Sequence, residues 1–205
     1  ATAKQFLLEG AEVLLFDFNE ENLIEAYQEL ESNNLSYLVG DVREFDDNLK
    51  AVEIAKEKYG GLDIFVANAG IEGDIKTIEE YDIDRFDQVI AVNVKGPFLG
   101  LKAAIPAMDS RGGGSFIITS SIAGLSGTPQ LGPYATSKHA VIGLMKSAAK
   151  ITENAMKTAF KSINPGVRQC DAVADIQKAL FNGTPEFGGD YASIATLLPT
   201  GKGTS

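Results

Sequence analysis

A tyrosine and a lysine stand four residues apart in the stretch Tyr134-Ala135-Thr136-Ser137-Lys138. Pro133 and the turn residues just before it favour a helix that begins here, and that spacing brings both side chains to one helix face. A tyrosine hydroxyl has an unperturbed pKa of about 10, and a neighbouring ammonium lowers it by favouring the phenolate. Such a pair can work as a general acid and base. A bare pair of this kind also recurs by chance, so its surroundings decide its meaning.

The segment in front of the pair has the pattern of a strand that ends in hydroxyl groups. Ser115-Phe116-Ile117-Ile118 follows three glycines and is typical of a buried parallel strand. Its polar end, Thr119-Ser120-Ser121, would lie at the carboxyl end of the strand, where ligands of open α/β sheets bind. The sequence therefore brings a hydroxyl cluster and the tyrosine–lysine pair into one candidate site.

Upstream, strand patterns alternate with helix patterns, which predicts an α/β fold with a doubly wound parallel sheet in a Rossmann-like three-layer arrangement. The predicted strands cover residues 12–16, 35–39 and 62–67, and the first of them is typical of a buried strand. The predicted helices cover residues 1–8, 20–30, 45–59, 83–108 and 133–152, and Gly10 is expected to end the first of them. A further strand is predicted at 159–163. Polar or small residues follow three of these strands: Asp17, Asp41-Val42 and Asn68-Ala69-Gly70. We expect them at the ligand-binding edge of the sheet.

Two of the polar residues have both a functional and a structural interpretation. Asp17 can accept both hydroxyls of an adenosine ribose and would repel a 2′-phosphate, or it can cap the helix that follows. Asn93 lies in an apolar stripe, where a buried amide must find partners. It is either a structural asparagine bonded to neighbouring backbone or part of the site. Pro97 removes the hydrogen bond to the Asn93 carbonyl and should kink the helix, which frees an acceptor for a water.

Composition limits the possible partners and compartments. The chain has 205 residues, 44% hydrophobic and 22% charged, with a formal net charge of −10. No basic patch dominates, which argues against nucleic acid or an anionic membrane as a partner. No continuous apolar run approaches the roughly 18–20 residues of a spanning helix. One cysteine, Cys170, and one histidine leave no internal disulfide and too few soft ligands for a zinc site, so we expect no metal and a cytoplasmic location.

Together these residues resemble the short-chain dehydrogenase/reductase family, in which a catalytic serine precedes the tyrosine by thirteen positions. Ser121 has that spacing and Ser120 does not. The resemblance implies an NAD-dependent alcohol dehydrogenase or carbonyl reductase for a secondary alcohol or ketone. It implies the catalytic residues Asn93, Ser121, Tyr134 and Lys138, with Asn93 holding a water in the proton relay. It implies the cofactor-binding residues Asp17, Asp41, Val42, Asn68, Ala69, Gly70, Thr119, Tyr134, Lys138, Pro165, Gly166 and Val167.

The resemblance also implies a substrate lid at 168–205 within one domain of 205 residues, and pairing of the helices near 83–108 and 133–152 into a homodimer or homotetramer. The family's glycine-rich phosphate loop has no counterpart before Asp17, where Gly10 is isolated. We therefore expect the chain to be truncated at both ends, with a strand and a G-x-x-x-G-x-G turn upstream of Ala1. The alternative is a non-catalytic nucleotide-binding or scaffold protein that keeps the fold without the phosphate loop.

Overall fold

The structure is a computed structural model, and it describes residues 1–148. The fold is α/β and Rossmann-like, as predicted. Its strands are β1 (Val13–Asp17), β2 (Leu35–Val39), β3 (Ile64–Ala67) and β4 (Ser115–Ile118). Its helices are α1 (Thr2–Leu8), α2 (Glu20–Leu30), α3 (Phe45–Tyr59), α4 (Ile83–Ile90), α5 (Gly96–Asp109) and α6 (Gly132–Ala148).

The chain divides into two compact units, Ala1–Ile142 and Gly143–Ser205. The first unit contains the four strands and all but the last residues of α6. The strand predicted at 159–163, the loop with Pro165, and the lid at 168–205 lie outside the described residues. The prediction of one domain over residues 1–205 therefore stays a prediction.

All strand pairs in the described residues are parallel, as the alternating pattern predicts. β1 pairs with β2 in the register Val13 to Leu35, and β3 pairs with β4 in the register Ile64 to Ser115. Hydrogen bonds join the strands as two pairs, and a cavity of about 1010 Å³ is lined by both β1 and β3.

The exposure of β1 differs from the sequence-based prediction of a buried strand. Its four apolar residues, Val13 to Phe16, are only partly buried, whereas Leu35 and Leu38 of β2 are buried. β4 is also only partly buried, with Ile117 44% exposed. The physical reason for β1 is the cavity beside it, which leaves its apolar surface without packing along that edge.

The main hydrophobic core lies where α3 and α5 pack together. Val52 of α3 contacts a cluster of small and apolar residues on α5, and Phe65 and Phe116 stack at 4.7 Å between ring centroids beneath it. Gly100 of α5 permits this approach, because a Cβ there would come within 3.1 Å of the Phe65 ring. This packing fixes α5 against the β3–β4 pair, on which the site is built.

The helix predicted over residues 83–108 is interrupted before Pro97. Residues Ala91–Lys95 form a π-helical turn between α4 and α5, and the Gly96 N–H donates to the Ala91 carbonyl. Pro97 has no N–H for the Asn93 carbonyl, so the wider turn replaces the regular helical pattern there. The predicted irregularity is present, and its form is a π turn.

The helical run Ile83–Asp109 is long and apolar enough to pass a length-and-composition test for a membrane span. The sequence predicts no spanning helix when only continuous apolar runs are considered, whereas this helical run also contains scattered polar residues. Half of its apolar window is buried inside the protein, which is the behaviour of a core helix. Length and composition alone are therefore weak evidence that this run crosses a membrane.

Candidate active site

The site begins at the carboxyl ends of β3 and β4, which lie side by side. The Thr119 N–H donates to the Ala67 carbonyl at 3.1 Å and so continues the strand pairing by one residue. The Thr119 hydroxyl donates to Asn68 Oδ1 at 3.0 Å. Both side chains are exposed, and they form a polar edge where the sequence placed it.

Lys138 reaches this edge from α6 and is buried, with 5% exposure. Its Nζ donates to the Thr119 carbonyl at 2.8 Å and lies 5.5 Å from the centroid of the Tyr134 ring. Burial lowers the pKa of the Lys138 ammonium, because desolvation penalises its charged form. The lysine therefore presents a poorly hydrated positive charge beside a half-buried tyrosine.

Ser121 is the N-cap of a short 3₁₀ turn, Ile122–Gly124, that follows β4. Its Oγ accepts from the Ala123 N–H at 3.2 Å, which leaves its own proton for donation. Among residues 1–148, no hydrogen bond joins Ser121 directly to Tyr134. Ser120 faces α6 instead, where its hydroxyl donates to the Lys138 carbonyl at 3.3 Å.

Asn93 is buried at 1% exposure, and its carboxamide makes three hydrogen bonds. Oδ1 accepts from the Ile71 N–H at 2.8 Å, and Nδ2 donates to the Ile71 carbonyl at 2.8 Å and to Ser137 Oγ at 3.0 Å. The side chain thus matches the structural interpretation that the sequence left open. It holds the loop after β3 against the π turn and α6.

A second cluster lies at the carboxyl ends of β1 and β2. Asp17 is exposed, and its Oδ1 accepts from the Asn19 N–H at 2.9 Å. The following helix α2 is capped by Asn19 rather than by Asp17. Within the described residues, the other Asp17 oxygen has no partner, so it is available to hydroxyl donors.

The β2 end carries Asp41 and Val42. Arg43 binds both Asp41 carboxylate oxygens, which lowers the pKa of Asp41 and raises that of Arg43. Val42 lies against the start of α5, since a Cβ on Gly96 would come within 3.1 Å of it. Within this second cluster the ends of β1 and β2 are joined, because the Gly40 N–H donates to the Asp17 carbonyl at 2.9 Å.

The structure therefore groups the predicted residues into two sets. Thr119, Asn68, Gly70, Asn93, Tyr134 and Lys138 are brought together near α6, with Ser121 on the adjoining turn. Asp17, Asp41 and Val42 surround the β1–β2 end. Pro165, Gly166 and Val167 lie outside the described residues. Ala69 is exposed and lines the cavity beside β1 and β3. None of these placements tests the assigned roles.

Sequence reasoning missed three polar residues of the site. Ser137 bonds Asn93, Ser120 bonds the Lys138 carbonyl of α6, and Arg43 forms an ion pair with Asp41. A signal for Ser137 was present, because position i+3 from Tyr134 lies on the same helix face. Arg43 was also indicated by its opposite charge two residues after Asp41.

The residues fit a dinucleotide at both clusters. At Gly70 an added Cβ would lie 3.4 Å from Asn93 Oδ1 and 3.5 Å from Lys138 Nζ, so the Lys138 ammonium borders the backbone of this loop. The exposed Asp17 carboxylate has the acceptor chemistry that ribose hydroxyls need. No glycine-rich loop for the pyrophosphate precedes Asp17 in the sequence. In residues 1–148, no group of three or more His, Cys, Asp or Glu side chains is placed to hold a metal ion.

The fold is Rossmann-like, and both clusters lie at the carboxyl ends of its parallel strands. The profile of the short chain dehydrogenase family matches residues 1–180. The chain therefore belongs to the short-chain dehydrogenase/reductase family, as the sequence motifs predict.

Individual relatives agree with this assignment. The chain is 36% identical over 151 residues to dehydrogenase/reductase SDR family member 4 of Homo sapiens, covering 73% of this chain and 54% of that protein. It is 40% identical over 149 residues to an uncharacterized oxidoreductase of Thermotoga maritima, covering 72% of this chain and 58% of that protein. The chain thus spans about half the length of the curated relatives that it matches.

A solved structure of NAD⁺-bound xylitol dehydrogenase is similar in fold and sequence. The TM-score is 0.70 at 31% sequence identity, covering 74% of this chain and 59% of that chain. The likeness supports both the Rossmann-like architecture and the oxidoreductase family.

Proposed function

We propose that the protein transfers a hydride between NAD(H) and a secondary alcohol or ketone, with Tyr134 as the general acid and base. The observation that carries the proposal is the placement of Lys138. Its ammonium is buried, bonded to the Thr119 carbonyl, and one helical turn from Tyr134 at the ligand-binding edge of the sheet. A lysine in the core is costly, and a site that uses its charge gives a reason to keep it there.

The nicotinamide cofactor supplies the hydride chemistry when it is bound. In the oxidation direction, Tyr134 takes the proton from the substrate hydroxyl while the Lys138 charge favours its phenolate. Ser121 donates its free proton to the substrate oxygen and stabilises the charge that develops there.

Lys138 also binds the nicotinamide ribose, and the proton then leaves through a water near Asn93. Both Asn93 Nδ2 protons are already bonded, and we place that water on the Asn93 main-chain carbonyl, to which Pro97 has no N–H to donate. Pro165, Gly166 and Val167 complete the nicotinamide site in this proposal.

We further propose NAD rather than NADP as the cofactor, because Asp17 would face a 2′-phosphate. Two anions would then be forced together, whereas a 2′-hydroxyl can donate to the carboxylate. Asp17→Asn removes one charge repulsion with the 2′-phosphate. It should therefore narrow the preference for NAD over NADP, measured as the ratio of kcat/KM values, by roughly 10-fold, which corresponds to about 1.4 kcal/mol. The kcat/KM values for both cofactors, in the wild type and in Asp17→Asn, test this. An NADP preference in the wild type would contradict it.

The partners in this proposal are a small-molecule alcohol or ketone and further copies of the chain, in the cytoplasm. The alternative function is a non-catalytic nucleotide-binding or scaffold protein of the same fold. A scaffold gives no reason to bury an ammonium beside a tyrosine, so the enzyme is the better explanation.

The decisive experiment incubates full-length protein with NAD and a panel of secondary alcohols while NADH absorbance is followed. We expect turnover with at least one substrate, and loss of that turnover in Lys138→Met. NAD binding without turnover across a broad panel would favour the scaffold.

A further inference from the structure

Ser137 lies between Tyr134 and Lys138 in sequence and at a fully buried junction in space. Its exposure is 0%, and that of its partner Asn93 is 1%. The Ser137 hydroxyl donates to the Tyr134 carbonyl at 2.7 Å and accepts from Asn93 Nδ2 at 3.0 Å. A hydroxyl that both donates and accepts in a dry site has one preferred orientation, so it fixes the groups on either side.

The Asn93 carboxamide extends this junction to a third segment. Its two remaining hydrogen bonds clasp the N–H and carbonyl of Ile71, each at 2.8 Å. Both Nδ2 protons are therefore used, one on Ile71 and one on Ser137. In the part of the chain that the structure describes, Ser137 provides the side-chain hydrogen bond that joins Asn93 to α6.

The clasped backbone borders the reactive groups. At Gly70, the residue before Ile71, an added Cβ would lie 3.4 Å from Asn93 Oδ1 and 3.5 Å from Lys138 Nζ. The loop after β3 thus runs past both the asparagine and the lysine. A shift of this loop changes the space beside the ammonium, which α6 and the Thr119 carbonyl hold from the other side.

We propose that Ser137 is a positioning residue that sets the Gly70–Ile71 backbone, through Asn93, at its working distance from Lys138. The role rests on the proposed oxidoreductase function, in which that backbone borders the nicotinamide. Without the hydroxyl, one Asn93 N–H is buried with no partner, and the carboxamide reorients to recover a bond. The clasp on Ile71 then loosens, while α6 keeps its regular backbone.

A matched control exists in the same molecule. The Ser110 hydroxyl donates to the Ala107 carbonyl at 2.7 Å, which repeats the local bond from Ser137 to Tyr134. Ser110 is exposed and, among the described residues, has no side-chain partner. Ser110→Ala therefore removes the same kind of local bond without touching Asn93.

The experiment compares Ser137→Ala with Ser110→Ala in the full-length protein. Hydrogen exchange at the Ile71 amide, read by NMR, should quicken at least about 10-fold in Ser137→Ala and stay unchanged in Ser110→Ala. With NAD and an alcohol that the wild type oxidises, kcat should fall on the order of 10- to 100-fold in Ser137→Ala, because small displacements at a reacting centre are costly. The KM for the alcohol should stay within about 2-fold, as expected when a transition-state geometry rather than ground-state binding is lost.

Ser137→Cys replaces the hydroxyl with a somewhat larger thiol that is still a weak acceptor, and it should restore part of the kcat and part of the exchange protection. It also serves as the test if the alanine variant does not fold. Unchanged hydrogen exchange at the Ile71 amide in both Ser137 variants would contradict the proposed link from Ser137 through Asn93 to Ile71. Faster exchange with unchanged kcat would overturn the positioning role. A wild type that oxidises no alcohol would refute the proposed function alone, because the exchange measurement tests the link from Ser137 to Ile71 without any turnover.

Discussion

At the scale of single residues, the Tyr134 hydroxyl is the group on which turnover should depend most. Tyr134→Phe removes one oxygen and leaves the ring, so the packing of α6 is retained. We expect turnover to fall on the order of 10²- to 10⁴-fold, the usual contribution of general acid and base catalysis. Steady-state kinetics with NAD measures the loss, and circular dichroism checks that the fold is kept. Turnover close to that of the wild type would remove Tyr134 from the mechanism.

The buried Lys138 ammonium should give the protein a pH-dependent stability. Burial lowers its pKa in the folded state, so the unfolded chain binds the proton more tightly than the folded chain. The free-energy cost of burying the charged ammonium is fully present below the pKa of Lys138 in the folded state. It disappears as pH rises toward the pKa of about 10.5 in the unfolded state. The free energy of unfolding of the wild type, minus that of Lys138→Met, should therefore increase as pH rises toward 10.5.

Denaturant unfolding at several pH values measures that difference, and the subtraction cancels the ionisable groups that lie far from Lys138. The absolute stability of Lys138→Met is not the test, because the variant also leaves the Thr119 carbonyl without its donor. A difference that is flat or falls with pH would show that burial does not depress this ammonium. The same variant should lose turnover by at least about 100-fold, since it removes the charge beside Tyr134.

Sequence alone was most informative about residues whose spacing follows a regular period. The four-residue interval placed Tyr134 and Lys138 on one helix face, and the structure has Lys138 Nζ 5.5 Å from the tyrosine ring. It left the Asn93 side chain open, because its partners are the backbone of Ile71 and a serine 44 residues away. Such contacts depend on tertiary packing, which no local pattern encodes.

At the scale of elements, the π turn before Pro97 holds Asn93 in place. In Pro97→Ala, a new N–H can bond the Asn93 carbonyl, which favours a regular helix through residues 91–95. That change rotates Asn93 relative to α5, whose buried face is fixed by packing on α3. We expect kcat to fall on the order of 10-fold, because the loop after β3 is no longer held in position by the Asn93 side chain.

The control is Pro106→Ala in the same helix. Pro106 is exposed and lies inside α5, where an alanine should stabilise the helix without reaching the site. Kinetics and thermal unfolding of both variants are the measurements. Equal effects of the two substitutions on kcat would argue against a role for the π turn.

Element boundaries followed the sequence closely where turn chemistry was clear. Gly10, with φ of +86°, ends α1 as predicted, and Gly60 does the same for α3 with φ of +78°. The form of the break at residues 91–95 was not predictable, because a proline predicts a disturbed helix without specifying a kink or a wider turn. The partial burial of β1 was also missed, since an apolar run indicates a buried strand whatever lies beside it.

At the scale of the whole molecule, net charge and exposed helix surfaces bear on how copies of the protein associate. A formal net charge of −10 disfavours close approach of copies unless apolar surface offsets it.

That apolar surface is present on the run from α4 to α5, where Phe86, Phe98 and Ile105 are 37%, 51% and 39% exposed. Phe98 and Ile105 are seven residues apart and so share a face of α5. We expect this face to join copies of the chain into a homodimer or homotetramer, which requires roughly 800 Å² from each partner. Light scattering of the full-length wild type should then give two or four times the chain mass.

The variant Phe98→Glu/Ile105→Glu places two like charges on each copy of that face, and it should convert the oligomer to a monomer while α5 keeps its core contacts through its opposite side. Ile24→Glu on α2 is the matched control, because Ile24 is 37% exposed and belongs to another element. It should leave the mass unchanged. A wild type that is strictly monomeric, or a double variant that stays oligomeric, would contradict an interface on α5. Loss of the oligomer in Ile24→Glu alone would move the interface to α2.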